Sequence, residues 1–228
     1  MFGEHFYHKQ IRNTVIAFGT IFNNINIKRL DSSGNPLQNL KVPLSYSPKE
    51  KFIARLDQQA SLTGTDSSVA ITLPRMAFDI GGYSYDPTRK LNKNQKRGVV
   101  TTNADTTKLN TQYSPVPYDV TFELNVFTAN SDDGLQIIEQ ILPYFQPDYT
   151  VTMIENSVMD SKRDIPFILE SVNYEDSYTG DLTATRRITY SLSFTAKIYL
   201  YGPISTGAVI KTVSADLYDN TADEGPFR

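Results

Sequence analysis

The run RRITYSLSFTAKIYLY, Arg186 to Tyr201, constrains the fold more than any other stretch. Ile188, Tyr190, Leu192, Phe194, Ala196, Ile198 and Leu200 alternate with Thr189, Ser191, Ser193, Thr195, Lys197 and Tyr199. Successive side chains of a strand point to opposite faces, so a period of two specifies a strand with one apolar and one polar face. At about 3.3 Å per residue it predicts an unusually long, protruding ribbon. Such a ribbon needs partners of the same pattern. YDVTFELNVF supplies one, with Tyr118, Val120, Phe122, Leu124 and Val126 in alternation, and YTVTMIEN and IPFILESVNYED supply others. SYTGDL is a turn signal before the long run. Strands joined by turns, not by helical crossovers, build an antiparallel or mixed sheet.

Helical periods flank these strands. In HKQIRNTVIAFGTIFNN, the spacing of Ile11, Val15, Phe18 and Phe22 places them on one helical face. SPKEKFIARLDQQ predicts a second helix, with Ser47 as cap, Pro48 at the first helical position and Phe52, Ile53 and Leu56 inward. NSDDGLQIIEQILPYF predicts a third, capped by Asn130 or Ser131, with Leu135, Ile138, Ile141, Leu142 and Phe145 on the buried face. Pro143 lacks an N–H and crowds the preceding turn, so the helix is expected to kink or finish near it. Pro147 then favours extended chain, so QIIEQILPYFQPDY is a helix-to-strand corner that leaves Tyr144 and Tyr149 as candidate subunit contacts. INIKRL and LKVPLSYS flank the turn DSSGNP and predict a hairpin, with Pro43 demoting the second run to an edge strand or bulge. SVAITLPRMAFDIGGYSYD reads as a strand, an interruption at Pro74 and a strand. The fold class is α+β, an antiparallel or mixed sheet with long ribbon strands and flanking helices. One domain spans residues 1–203, with a long polar loop at 87–114. Residues 204–228 form an extended arm that gains order only against a partner.

The chain has 228 residues, of which 39% are hydrophobic and 21% charged, so it can bury a sizeable core. It has no cysteine, which removes disulfides and thiolate chemistry together. No apolar run is long enough to span a membrane, and MFGEHFYHKQ does not read as a signal peptide, so a cytoplasmic origin is expected. A net charge of -3 does not imply nucleic-acid binding by the whole chain.

Candidate chemistry is sparse. His5 and His8 would share a helical face but have no third ligand beside them, so no metal site is expected. Gly81 and Gly82 have no helix start behind them to cradle a phosphate and predict a bulge. Asp132 and Asp133 suit the positive end of a helix dipole, which accounts for them without catalysis. The exception is Arg89, Lys90, Lys93, Lys96 and Arg97: five positive charges in nine residues with no acid among them. A solvated loop, an acidic protein partner and a nucleic-acid backbone all fit, although no aromatic lies among them to stack bases. The pattern is that of a subunit built to contact neighbours, not of an enzyme.

Several blocks in order carry a resemblance: FYHKQIRNTVIAFGTIFNNINIKR, KVPLSYSPKEKFIARL, ITLPRMAFDI, YDVTFELNVFTANSDDGLQIIEQILPYFQPDYTVTM, and RDIPFILESVNYEDSYTGD with RRITYSLSF. Together they cover most of Phe6 to Phe194, and QIIEQILPYFQPDY is the most specific. The chain resembles the tail sheath stabiliser and completion proteins, or tail terminators, of T4-like contractile-tailed bacteriophages. The resemblance implies a fold similar to phage tail terminators and a homo-oligomeric, six-fold ring at the head-proximal end of the virion tail, assembled in the bacterial cytoplasm. Its partners would be the tail sheath protein, the tail tube or tube-terminator protein and the neck proteins. DNA would pass through the ring without sequence-specific binding, and no catalysis or cofactor is implied. The alternatives are another virion subunit, from baseplate or neck, or a nucleic-acid- or carbohydrate-binding module.

Overall fold

The computed structural model describes residues 5–31, 36–60, 73–100, 108–156, 159, 161–177, 187–210 and 212–215. In chain order its elements are α1 (Gln10–Phe22), β1 (Asn26–Leu30), β2 (Pro36–Lys41), β3 (Leu44–Tyr46), α2 (Lys49–Ala60), β4 (Arg75–Tyr85), β5 (Lys96–Val100) and β6 (Lys108–Tyr113). Then come β7 (Val116–Thr128), α3 (Ser131–Ile141), a short 3-10 turn at Leu142–Tyr144, β8 (Asp148–Asn156), β9 (Ser161–Ser177), β10 (Arg187–Leu200) and β11 (Ser205–Ala208). The architecture is α+β. A six-stranded sheet has the order β3-β4-β7-β10-β9-β8, antiparallel throughout except for the parallel β3–β4 pair.

The expected protruding ribbon is instead the interior of this sheet. β10 pairs with β7 from Ile188 opposite Thr128 to Leu200 opposite Val116, and with β9 on its other side. β7 thus pairs with it as far as Leu200 and β9 as far as Ala196. One face of the sheet is the core. Ile188, Tyr190, Leu192, Phe194, Ala196 and Ile198 are buried there beside Val120, Phe122, Leu124 and Val126 of β7. α1 lies on this face. The Phe18 ring stacks on Phe122 at 4.5 Å and also meets Phe78, Phe167 and Phe194. Each such aromatic pair adds about 0.5–1.5 kcal/mol beyond its buried area. The opposite face is polar where it is not covered by α2. Phe52 of α2 stacks on Phe127 at 4.4 Å, while Ser191 donates to Asn125 at 2.6 Å and Thr195 to Glu170 at 2.5 Å.

Several expectations shift by part of a turn. In α1, Phe18 and Phe22 are buried and Val15 packs against the core, but the buried face continues through Thr14, one turn before Phe18, and leaves Ile11 37% exposed. In α3 the buried set is Asp133, Gly134, Ile137, Ile138 and Ile141, followed by Phe145, while Leu135 and Leu142 are exposed. The stripe is rotated because Gly134, with no Cβ, lets the helix approach Tyr190. α3 is also tied to β1: Gln136 accepts from the Lys28 N–H at 3.0 Å and donates to its carbonyl at 3.1 Å, and Gln140 donates to the Asn26 carbonyl at 2.9 Å. The helix ends before Pro143, as the missing N–H requires, and the chain leaves as β8.

The run LKVPLSYS splits at Pro43. Its first part is in β2, paired with β1 in a separate two-stranded sheet, and its second is the edge strand β3. The Pro43 carbonyl accepts from Met76 at 2.9 Å and starts the β3–β4 edge. In α2, the Pro48 carbonyl accepts the first helical bond from Phe52, so Pro48 rather than Ser47 caps the helix, and the Ser47 hydroxyl donates to the Pro48 carbonyl instead. The Leu56 side chain, the strand expected before Pro74 and the turn expected at SYTGDL after Ser177 lie outside the described residues. A register shift between Ile80 and Gly82 is the bulge expected at the glycine pair.

The largest correction concerns residues 87–114. In their described parts they are not a structureless loop. β5 and β6 pair antiparallel, Lys96 opposite Tyr113, and β11 adds to β6, Ser205 opposite Thr111, in a three-stranded sheet. The first residues of the expected arm are thus ordered against the chain itself. The acidic end from Asp216 lies outside the described residues. Hydrophobic periodicity is blind to β6 because its buried side chains are Asn110 and Gln112. They are satisfied, with Gln112 donating to the Gly202 carbonyl at 2.7 Å and Asn110 accepting from Thr206 at 3.0 Å.

Candidate functional site

Two surfaces carry the residues singled out in the sequence, and they lie on different parts of the molecule. The first is where β4 and β7 meet the three-stranded sheet. Arg89 does not belong to a free cationic patch. Its guanidinium donates to Asp86 at 2.6 Å and Asp119 at 2.5 Å and sits 5.0 Å from the Tyr199 ring centre. Arg163 approaches the same ring at 4.2 Å. Hydrogen bonds from Arg89 and then Thr88 hold the Asp86 carboxyl far below its ordinary range. Burial opposes the charge of Arg89, but bonds and attraction to Asp86 and Asp119 outweigh it and its pKa is raised. Arg89 therefore fixes the start of the segment to β7.

Lys90, Lys93, Lys96 and Arg97 are exposed. Lys90 and Lys93 rim a groove of about 460 Å³ with Tyr85, Leu91, Val116 and Tyr118. Lys96 lies over the Tyr113 ring at 4.6 Å. Aromatics absent from the basic run in sequence are thus brought to it in space by the β4–β7 and β5–β6 pairings. The sequence offered no local signal for this.

The second surface is the helix-to-strand corner. Tyr144 is 69% and Tyr149 39% exposed, and the two line one groove of about 570 Å³ floored by Phe22, Ile141 and Phe145. Tyr149 also borders a neighbouring groove between α1 and β8.

The remaining candidates have structural partners. Residues 5–9 are not helical, so His5 and His8 do not share a helical face, and His8 Nε2–H donates to the Gly202 carbonyl at 2.8 Å. Among the described residues no three His, Cys, Asp or Glu side chains could hold a metal ion. Asp133 is not explained by the helix dipole alone. Its carboxylate is buried and accepts from Arg29 of β1 at 2.8 Å. Sequence reasoning missed this pair because its members are far apart in the chain. No described helix is long and apolar enough to cross a membrane.

The model of the T4-like virus Myoviridae tail sheath stabiliser matches residues 5–227, which is nearly the whole chain. The chain belongs to this sheath stabiliser family. It is 35% identical over 240 residues to the tail completion protein gp15 of Enterobacteria phage T4, covering 100% of this chain and 85% of that protein. A sheath stabiliser is a structural protein of the phage tail.

Proposed function

We propose that this protein closes the head-proximal end of a contractile tail as a homo-oligomeric ring, six-fold in number. It would bind the last ring of sheath and tube and offer a joining surface to the neck, with DNA passing through the centre. The observation that carries the reading is the sheath stabiliser match over residues 5–227. The corner groove also supports it. A closed ring uses two different faces of each subunit, and the α1–β8–corner region offers one of them. Lys90, Lys93, Lys96 and Arg97 would face the lumen or an acidic neck or sheath surface, and Tyr144 and Tyr149 a subunit contact. Assembly would take place in the host cytoplasm.

Electron microscopy of tails carrying a labelled copy tests the location. Label at the head-proximal end supports the reading, and label at the distal tip assigns the protein to the baseplate instead. The lysines beside Tyr85 and Tyr113 favour a second reading, direct contact with nucleic acid. Lys90→Gln, Lys93→Gln and Lys96→Gln together would then abolish DNA retention at moderate salt. Unchanged retention, or none in the parent protein, removes that reading.

A further inference from the structure

The groove between α1 and β8, about 650 Å³, is lined by Ile16, Ala17, Ile21, Val151, Met153 and Ile154 among others. Ile16 and Ile154 are each 56% exposed. β8 ends the six-stranded sheet, with β9 on one side and no described strand on the other. An apolar groove along a sheet edge is the form of site that accepts an added strand. Beyond β11, residues 209–210 and 212–215 carry no secondary structure, and Ile210 and Val213 are each 81% exposed.

We propose that the segment 209–214 of one copy adds to β8 of the next copy, seating Ile210 on the α1 side of the groove beside Val151 and Met153 and, three residues on and therefore on the other side of the added strand, Val213 beside Ile154. Charge order favours this occupant. In the sequence the apolar pair is followed by Asp216, Asp219, Asp223 and Glu224. At the groove, Arg12 lies one helical turn before Ile16, and exposed Lys162 is directly opposite Ile154 in register. An arm seated in this way carries its acids toward these cations.

Geometry assigns the arm to a neighbour. Ala208 pairs with Lys108, the far end of β6 from the main sheet. The way back along β6 to Tyr113 is about 17 Å at 3.3 Å per residue. β9 still separates β10 from β8, adding about 10 Å at the usual strand spacing. Ala208 to Val213 spans at most about 17 Å when extended, so the segment does not reach its own groove.

This inference rests on the ring reading and names the contact that would close the ring. The chain has no cysteine, so introduced pairs report cleanly. Val213→Cys and Ile154→Cys chains are mixed, assembled and oxidised, with Val213→Cys and Leu135→Cys as the control pair. Covalent dimers at several-fold the control yield are expected. Oligomers that assemble without dimers above control overturn the inference and leave the ring intact. Protein that stays monomeric at every concentration and does not assemble on tails overturns both. A double variant, Ile154→Cys with Val213→Cys, that closes only within single chains also overturns it. Truncation after Ala208 retains β11 and should remove assembly, whereas full assembly by the truncated chain contradicts the proposal.

Discussion

Arg89 shows how a single residue's role changes once its surroundings are known. In the sequence it heads a basic run. In the fold it is shared by Asp86 and Asp119 and leans on Tyr199. Because the folded pKa of Asp86 lies below its ordinary 3.8, folding favours the charged form. The stabilisation is fully present above pH 3.8 and is lost as pH falls through the lower folded value. Wild type should therefore exceed Asp86→Asn in stability at neutral pH, with the gap shrinking as denaturation is repeated at progressively lower pH below 3.8. A constant gap would show that this carboxylate is not the cause. Gly134 poses an opposite test. Alanine would gain about 1 kcal/mol of helix propensity. Its Cβ, however, would lie 2.6 Å from the buried Tyr190 ring and 3.2 Å from Thr128 Oγ1. Overpacking of a filled core costs roughly 1–3 kcal/mol. Gly134→Ala is expected to be destabilising by urea titration, and a more stable variant would show that α3 can lift away. Phe18→Ala, which empties the centre of the aromatic cluster, should cost about 3–5 kcal/mol in the same assay.

At the scale of elements, strands with an apolar period were legible and strands with a polar one were not. β7 and β10 announce themselves because their core-side positions are apolar up to Thr128 at the end of β7. β6 buries Asn110 and Gln112 and is held by side-chain amides to Thr206 and the Gly202 carbonyl, a pairing that no local pattern reveals. The buried stripe of α3 was misplaced at Leu135 and Leu142 for a related reason, since periodicity ranks residues by hydrophobicity and cannot see that Gly134 is the point of closest approach. The small sheet should behave as a separable unit. Truncation after Pro203 removes β11, and amide exchange should then quicken in β6 while β7 and β10 keep their protection. Equal protection of β6 with and without β11 would mean that the β5–β6 pair needs no third strand.

At the scale of the whole molecule, the candidate surfaces were legible as residue types but not as places. Lys90, Lys93, Lys96, Arg97, Tyr144 and Tyr149 are exposed in the structure, whereas Arg89 is withdrawn into an ion-paired cluster. A subunit that completes its grooves only in an assembly is stabilised by mass action, so its melting temperature should rise with protein concentration. A concentration-independent value across the range in which oligomers form would show that assembly buries little of these surfaces. The sequence by itself determined the α+β class, the long alternating strands, the end of α3 at proline and the family, because period, backbone restriction and ordered blocks of residues are local properties. Only the tertiary structure decided which strand lies at the centre, that β5 and β6 form a ladder extended by β11, that Asp133 meets Arg29, and that tyrosines gather around the basic rim. These depend on contacts between residues far apart in the chain, and hydrophobic pattern carries no information about which polar groups will find each other across that distance.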